Sequence, residues 1–199
     1  MEEHSVLITT SGIGSRLGKL TDYTNKSLVR VGDKPAISHI VESYPKSTDF
    51  VITLGHHGDH VRQFLLLAYP DLSFNFVQVK NFSGLGSSLL HSMKEAAGHL
   101  QKPFVFHACD AIVLDKIPTP EVNWISGANI KRADQYRTLN IGSGNTLQNI
   151  NEKGEISFDF AYPGLLGIKD YDIFWQCLDN ILNKNQDSQL SDCHVVKMM

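Results

Sequence analysis

The chain has 199 residues, 42% of them hydrophobic and 20% charged, with a formal net charge of -3. That length predicts one domain, spanning 1–199, and the slight acidity excludes an electrostatic case for nucleic acid or an anionic membrane as partner. Three cysteines without CxxC spacing (Cys109, Cys177, Cys193) predict reduced thiols in a cytoplasm, and no apolar stretch approaches the roughly 20 residues of a membrane span.

The opening MEEHSVLITT is acidic and enters a strand at once, so it is not expected to be a signal peptide. Val6 to Thr10, Phe50 to Leu54, Phe74 to Val79 and Phe104 to His107 read as strands. They are mostly continuous in apolar residues, as in sheets buried on both faces. Between them, Pro35 to Tyr44, Asp59 to Ala68 and Ser87 to Leu100 carry apolar residues at helical spacing, with Pro35 suited to a first helical turn. The alternation β-α-β-α-β-α-β predicts an α/β fold, a mainly parallel sheet wrapped by helices. After Asp110 the pattern changes. Tyr136 to Ile141 and Leu147 to Ile150 flank Gly142-Ser143-Gly144-Asn145 and read as a hairpin. A strand near Tyr162 to Ile168, a helix from Asp170 to Leu182 and a polar loop from Asn183 to Ser188 follow.

In open α/β sheets ligands bind beyond the carboxyl ends of the strands, which is where SGIGSRLGKLTDYTNKSL (residues 11–28) must lie. Its glycines let backbone N–H groups approach an anion, while Arg16 supplies a planar fork and Lys26 a mobile point charge for phosphate oxygens. The spacing fits neither a dinucleotide fingerprint, since Leu17 stands where a third glycine is needed, nor a P-loop. Asp110, at a strand end, and Asp192 are hard carboxylates on separate elements, a pairing that suits Mg²⁺ shared with substrate phosphates. The plain alternatives are a strand-end turn for Asp110 and an ordinary helix start for Ser191-Asp192. The histidines of Gly55-His56-His57-Gly58-Asp59-His60 share one loop with no matching second segment, so solvated residues are favoured over a zinc site. The tryptophans read as core.

The stretch ITTSGIGSRLGKLTDYTNKSLVRVGDKP resembles the opening signature of the sugar-phosphate nucleotidylyltransferases. Gly12, Gly14, Arg16, Leu17, Leu20, Thr21, Lys26, Leu28, Val31, Lys34 and Pro35 stand where that family has them. The resemblance departs at Thr9-Thr10-Ser11, which replaces a small apolar triplet, and at Lys19 and Asn25, each in place of a proline. The first change puts hydroxyls where the base or ribose lies in the family; the last is expected to loosen the loop that aims Lys26. Further segments are similar in the same order: FVITLGHHGDHVRQFL, FSGLGSSLLHSM, PFVFHACD, NINEKGE, YPGLLGIKDYDIF and LSDCHVV.

The resemblance implies a Rossmann-like three-layer sandwich of the nucleotide-diphospho-sugar transferase type, with helices on both faces of the sheet. It implies catalytic roles for Arg16 and Lys26, and a nucleotide site at Thr9, Thr10, Ser11, Gly12, Ile13, Gly14, Ser15, Gly84, Gly86, Ser87 and Ser88. Lys153 and Gly164 fall in the acceptor site, and Asp110 and Asp192 are the Mg²⁺ ligands. The implied reaction joins an NTP, with CTP or UTP favoured, to a phosphorylated acceptor, releasing pyrophosphate. A sugar 1-phosphate is the first choice of acceptor and a phosphorylated alcohol such as phosphocholine the second; such products feed cell-surface polysaccharide synthesis. Two alternatives stay open: a nucleotide-sugar glycosyltransferase, and a non-catalytic nucleotide-binding or regulatory domain of the same fold.

Overall fold

A computed structural model describes residues 4–184 and 190–199. The run Ser5–Thr9 forms β1, which enters a six-stranded sheet with β4 (Asp49–Leu54), β5 (Ser73–Gln78), β6 (Phe104–Ala108), β7 (Trp124–Ile125) and β11 (Leu165–Ile168). The spatial order is β5-β4-β1-β6-β11-β7. The pairs β4–β5, β1–β4 and β1–β6 are parallel, whereas β11 runs antiparallel to both β6 and β7. A short β2–β3 hairpin (Arg30–Val31, Lys34–Pro35) and a separate antiparallel sheet of β8 (Thr138–Ile141), β9 (Leu147–Asn151) and β10 (Phe160–Ala161) complete the strands.

The continuous apolar runs of the strands have a simple cause. Alternate residues of one strand serve two cores. Leu7, Val51, Phe104 and Phe106 face α3 (Leu89–Ala96), α4 (Tyr171–Lys184) and α5 (Asp192–Met198). Val6, Ile8, Phe50, Ile52 and Val105 face α1 (Ala36–Val41) and α2 (Gly58–Ala68). With helices on both sides the sheet has no wet face, so period-two alternation of polar residues is lost. The result is the expected three-layer sandwich. Trp175 belongs to the first core, stacked 5.4 Å from Phe104 with its indole N–H donating to Leu100 O at 3.0 Å.

The expected polar loop from Asn183 begins two residues inside α4, and its remainder, from 185, lies outside the described residues. Among the described residues no helix is long and apolar enough to cross a membrane. All three cysteines are buried and free of disulfides.

Candidate active site

The chain leaves β1 at Thr9, and the next residues turn inward at the carboxyl edge of the sheet. Thr10 donates its hydroxyl to Thr53 O at 2.6 Å, and the Ser11 hydroxyl lies 2.7 Å from that of Ser92 on α3. Both side chains are nearly inaccessible. Two of the three hydroxyls expected near a base, those of Thr10 and Ser11, are therefore used to fasten the loop. Gly14 follows in a left-handed conformation with φ 72°, and a Cβ there would stand 3.0 Å from Lys26 Cβ and 3.1 Å from Thr21 Cγ2. Glycine is required because the loop folds directly onto the stem of the lysine. The loop then continues as a 3-10 segment, Ser15–Thr21, and a second 3-10 turn, Lys26–Leu28.

Two cavities open at this edge. The smaller, of about 290 Å³, is lined by Thr9, Thr10, Ser11, Gly12, Gly14 and Lys26 from the first loop, and by Phe82, Ser87, Ser88, Leu89, Ser92 and Cys109. Ser88 caps α3 by accepting from His91 N at 3.3 Å, so the positive end of that helix faces the cavity. Ile13, Ser15, Gly84 and Gly86 do not line it; the two glycines form an exposed turn with positive φ beside it.

The larger cavity, of about 690 Å³, brings together Arg16, Asp110, Lys153, Gly164 and Asp192, five residues singled out from distant points of the sequence. It also holds Arg137, which sequence reasoning missed. Arg137 sits just before β8 and donates to Glu152 Oε2 through Nε at 3.1 Å and Nη2 at 2.9 Å, and through Nη1 to Ser191 Oγ. No local motif marks it. Only the pairing of β8 with β9 sets it beside Glu152 and Lys153.

An ion pair joins the cavities. Lys26 Nζ lies 2.6 Å from Asp110 Oδ2, with Lys26 on the wall of the smaller cavity and Asp110 on the wall of the larger. Burial opposes the Lys26 charge, but Cys109, once ionised at the high pH where a lysine titrates, and the Asp110 carboxylate hold the ammonium above its ordinary value. Cys109 next to them is pushed up to about 11 by burial, so its thiol is neutral and is not a poised nucleophile. Burial together with the Arg16 and Arg137 guanidiniums pushes Lys153 below its ordinary value, which marks a concentration of positive charge in the larger cavity. Asp192 is raised by burial, against the pull of the Tyr162 hydroxyl that donates to its carboxylate and of Arg137.

The Asp110 turn has its own support. His107 is fully buried at the end of β6, its Nε2 is 2.7 Å from Ala111 O and its Nδ1 2.8 Å from the Tyr44 hydroxyl. A carbonyl can only accept, so Nε2 carries the proton and Nδ1 receives the tyrosine's. His56 and His57 are also structural: their Nε2 atoms lie 2.8 Å from Thr21 O and 3.0 Å from Asp22 O. Among the described residues no group of three His, Cys, Asp or Glu side chains is arranged to hold a metal ion.

A mainly parallel sheet with a glycine-lined pocket and an adjoining cationic cleft at its carboxyl edge defines an α/β domain of the nucleotidyltransferase type. The chain belongs to the MobA-like NTP transferase domain family, whose profile matches residues 6–117. It is 31% identical over 86 residues to the bifunctional protein GlmU of Campylobacter lari, a match covering 43% of this chain and 19% of that protein's length. Among solved structures it is similar to a Bacillus anthracis protein put forward as a glucose-1-phosphate thymidylyltransferase and bound to sucrose. That likeness has a TM-score of 0.80 at 21% identity, covering 98% of this chain and 82% of that one. The CTP:phosphocholine cytidylyltransferase of Streptococcus pneumoniae is similar with a TM-score of 0.78 at 17% identity, over 99% of this chain and 85% of that one. At these identities the structural likeness is one of fold.

Proposed function

We propose that the chain transfers a nucleotidyl group from an NTP to a phosphorylated acceptor and releases pyrophosphate. The observation that carries this reading is the Lys26–Asp110 pair, a cation and a carboxylate at 2.6 Å where a nucleotide-sized pocket adjoins a cationic cleft. An acceptor phosphate held by Arg16, Arg137 and Lys153 would direct one oxygen at the α-phosphorus. The new P–O bond forms as the bond to the β-phosphate oxygen breaks, and the electron pair leaves with pyrophosphate. Such a transfer needs positioning and charge stabilisation rather than a protein nucleophile. Lys26 is suited to the α-phosphate, where negative charge gathers, and Arg16 reaches from the first loop into the larger cleft.

Asp110 and Asp192 would hold Mg²⁺. Both line the larger cleft, and two carboxylates fit an ion that fills its other positions with phosphate oxygens and water. When bound, the ion would polarise the α-phosphate and neutralise charge on the triphosphate. For the donor we favour CTP or UTP, because a pyrimidine suits the small pocket whose hydroxyls are drawn inward. The similarly folded cytidylyltransferase bears a name that specifies CTP. For the acceptor we favour a sugar 1-phosphate, since Gln135, Tyr136 and Glu152 offer hydrogen-bond partners for hydroxyls beside the cations. Phosphorylated alcohols come second.

The test is pyrophosphate release from each of the four NTPs with a panel of sugar 1-phosphates and phospho-alcohols. One productive pair supports the reading. Hydrolysis or transfer from a nucleotide sugar without any use of an NTP would favour a glycosyltransferase, and binding without turnover a regulatory domain.

A further inference from the structure

Resting on the nucleotidyl-transfer reading above, we infer that Asn25 is the positioning residue that aims Lys26. It stands where the resembling family has a proline, a change expected to loosen the loop. The structure shows the reverse. Asn25 is fully buried. Its amide nitrogen donates to Thr10 O at 2.7 Å and to His56 O at 2.6 Å. Its amide oxygen accepts from Ser27 N at 2.9 Å and from Ser27 Oγ at 2.8 Å. Those four bonds use both donors and both acceptor sites of a carboxamide. Lys26 lies between two residues, Asn25 and Ser27, that are each fully buried and bonded to one another.

The partners of that one side chain come from three places: the end of β1, the loop after β4, and the turn that carries the lysine. Other bonds close the same triangle. His56 N donates to Ser11 O at 3.0 Å, and the His56 and His57 rings reach back to Thr21 and Asp22. Gly55 brings the second loop so close that a Cβ there would sit 2.4 Å from Ser11 O. The wall of the smaller cavity and the base of Lys26 are thus tied as one body.

A proline would restrain only the local backbone. Asn25 has φ -75°, within proline's reach, so that substitution is compatible with the backbone angle and removes the side-chain bonds together with the backbone N–H. An asparagine in this place couples the aim of Lys26 to the position of the nucleotide loop. A proline cannot.

The test compares Asn25→Ala, Asn25→Asp and Asn25→Pro with wild type in the full chain. Asn25→Asp keeps acceptors for Ser27 and loses both donors, and it replaces Asn25→Ala if that variant does not fold. Wild-type pyrophosphate release tests the underlying reading. A separate, activity-free measurement tests the positioning: the rate at which an amine-specific acylating reagent labels Lys26 Nζ, with Asp110→Asn as the control that frees the amine. We expect folded Asn25 variants to label Lys26 at least threefold faster, approaching the control. Where turnover is measurable, kcat should fall at least tenfold with KM for the NTP changed less than threefold. Adding Lys26→Ala to Asn25→Ala should then cost far less than it does alone. Labelling unchanged from wild type in folded variants overturns the inference, whether or not turnover is found. So do strictly additive effects of the two substitutions on kcat.

Discussion

The two cavities are built in different ways. The smaller takes most of its wall from the loop after β1 and the start of α3, and it uses backbone groups, small side chains and inward-turned hydroxyls. The larger takes charged side chains from Arg16 through Asp192 and needs the β8–β9 pairing and the start of α5 to exist at all. A pocket made of backbone recognises shape and hydrogen-bond pattern. One made of converging charges recognises phosphate and is sensitive to the loss of any single charge. The Lys26–Asp110 pair sits on the border and belongs to both.

The sharpest way to break this contrast is at the border. Asp110→Asn keeps the shape and removes the charge, so turnover should fall by at least about a thousandfold, corresponding to roughly 4 kcal/mol of transition-state stabilisation. Circular dichroism and thermal unfolding should show the fold retained. Near-normal pyrophosphate release in Mg²⁺ would remove Asp110 from the reaction.

The smaller cavity is tested by its base preference. If its backbone reads one edge of a pyrimidine, kcat/KM for either CTP or UTP should exceed that for ATP and GTP by about a hundredfold, or ~2.7 kcal/mol. Indifference among the four triphosphates would mean that this pocket holds phosphates rather than a base.

For the larger cavity, Lys153→Ala and Arg137→Ala should raise KM for the acceptor by about tenfold each, within the range of a charge-assisted hydrogen bond. KM for the NTP should change little. If both constants moved together, the division between the two cavities would not hold.

The smallest effect concerns the buried support of the Asp110 turn. Burial holds His107 below its ordinary value of 6.5, against the opposing pulls of Ala111 O and Asp110. The unfolded chain therefore takes up a proton that the folded chain resists. The native state has its full stability from this group above about pH 6.5 and loses it as the pH falls toward the lowered folded value. Urea unfolding at pH 7.5 and pH 5 should show His107→Gln, which can bond the same two partners without titrating, losing about 1 kcal/mol less over that interval. An identical pH dependence in both proteins would place the acid sensitivity elsewhere.

The same division governs what could be read in advance. The parallel strands and the helices α1 to α4 were legible because each carries its own periodicity. The loop of residues 11–28 was legible as a candidate site because its glycines and cations stand close together in sequence. Lys153 and Gly164 were singled out only through a resemblance that preserves their order, and Arg137 was missed because nothing near it in sequence marks it out. Asn25 shows the limit most clearly. As a letter it is a lost proline, and in the fold it is a four-bonded link among three loops.

By itself the sequence determined the layered α/β plan, since continuous apolar runs can be satisfied only by a sheet covered on both faces. It also set the glycines and the two cations of the first loop close together, since that is a local property of the chain. Tertiary structure alone decided that Thr10 and Ser11 spend their hydroxyls on the protein, that Lys26 meets Asp110, and that Arg16, Arg137 and Lys153 share a cleft. Those are long-range contacts. A side chain's partners across the sheet edge depend on strand order and loop path, and neither is written in the spacing of any one segment.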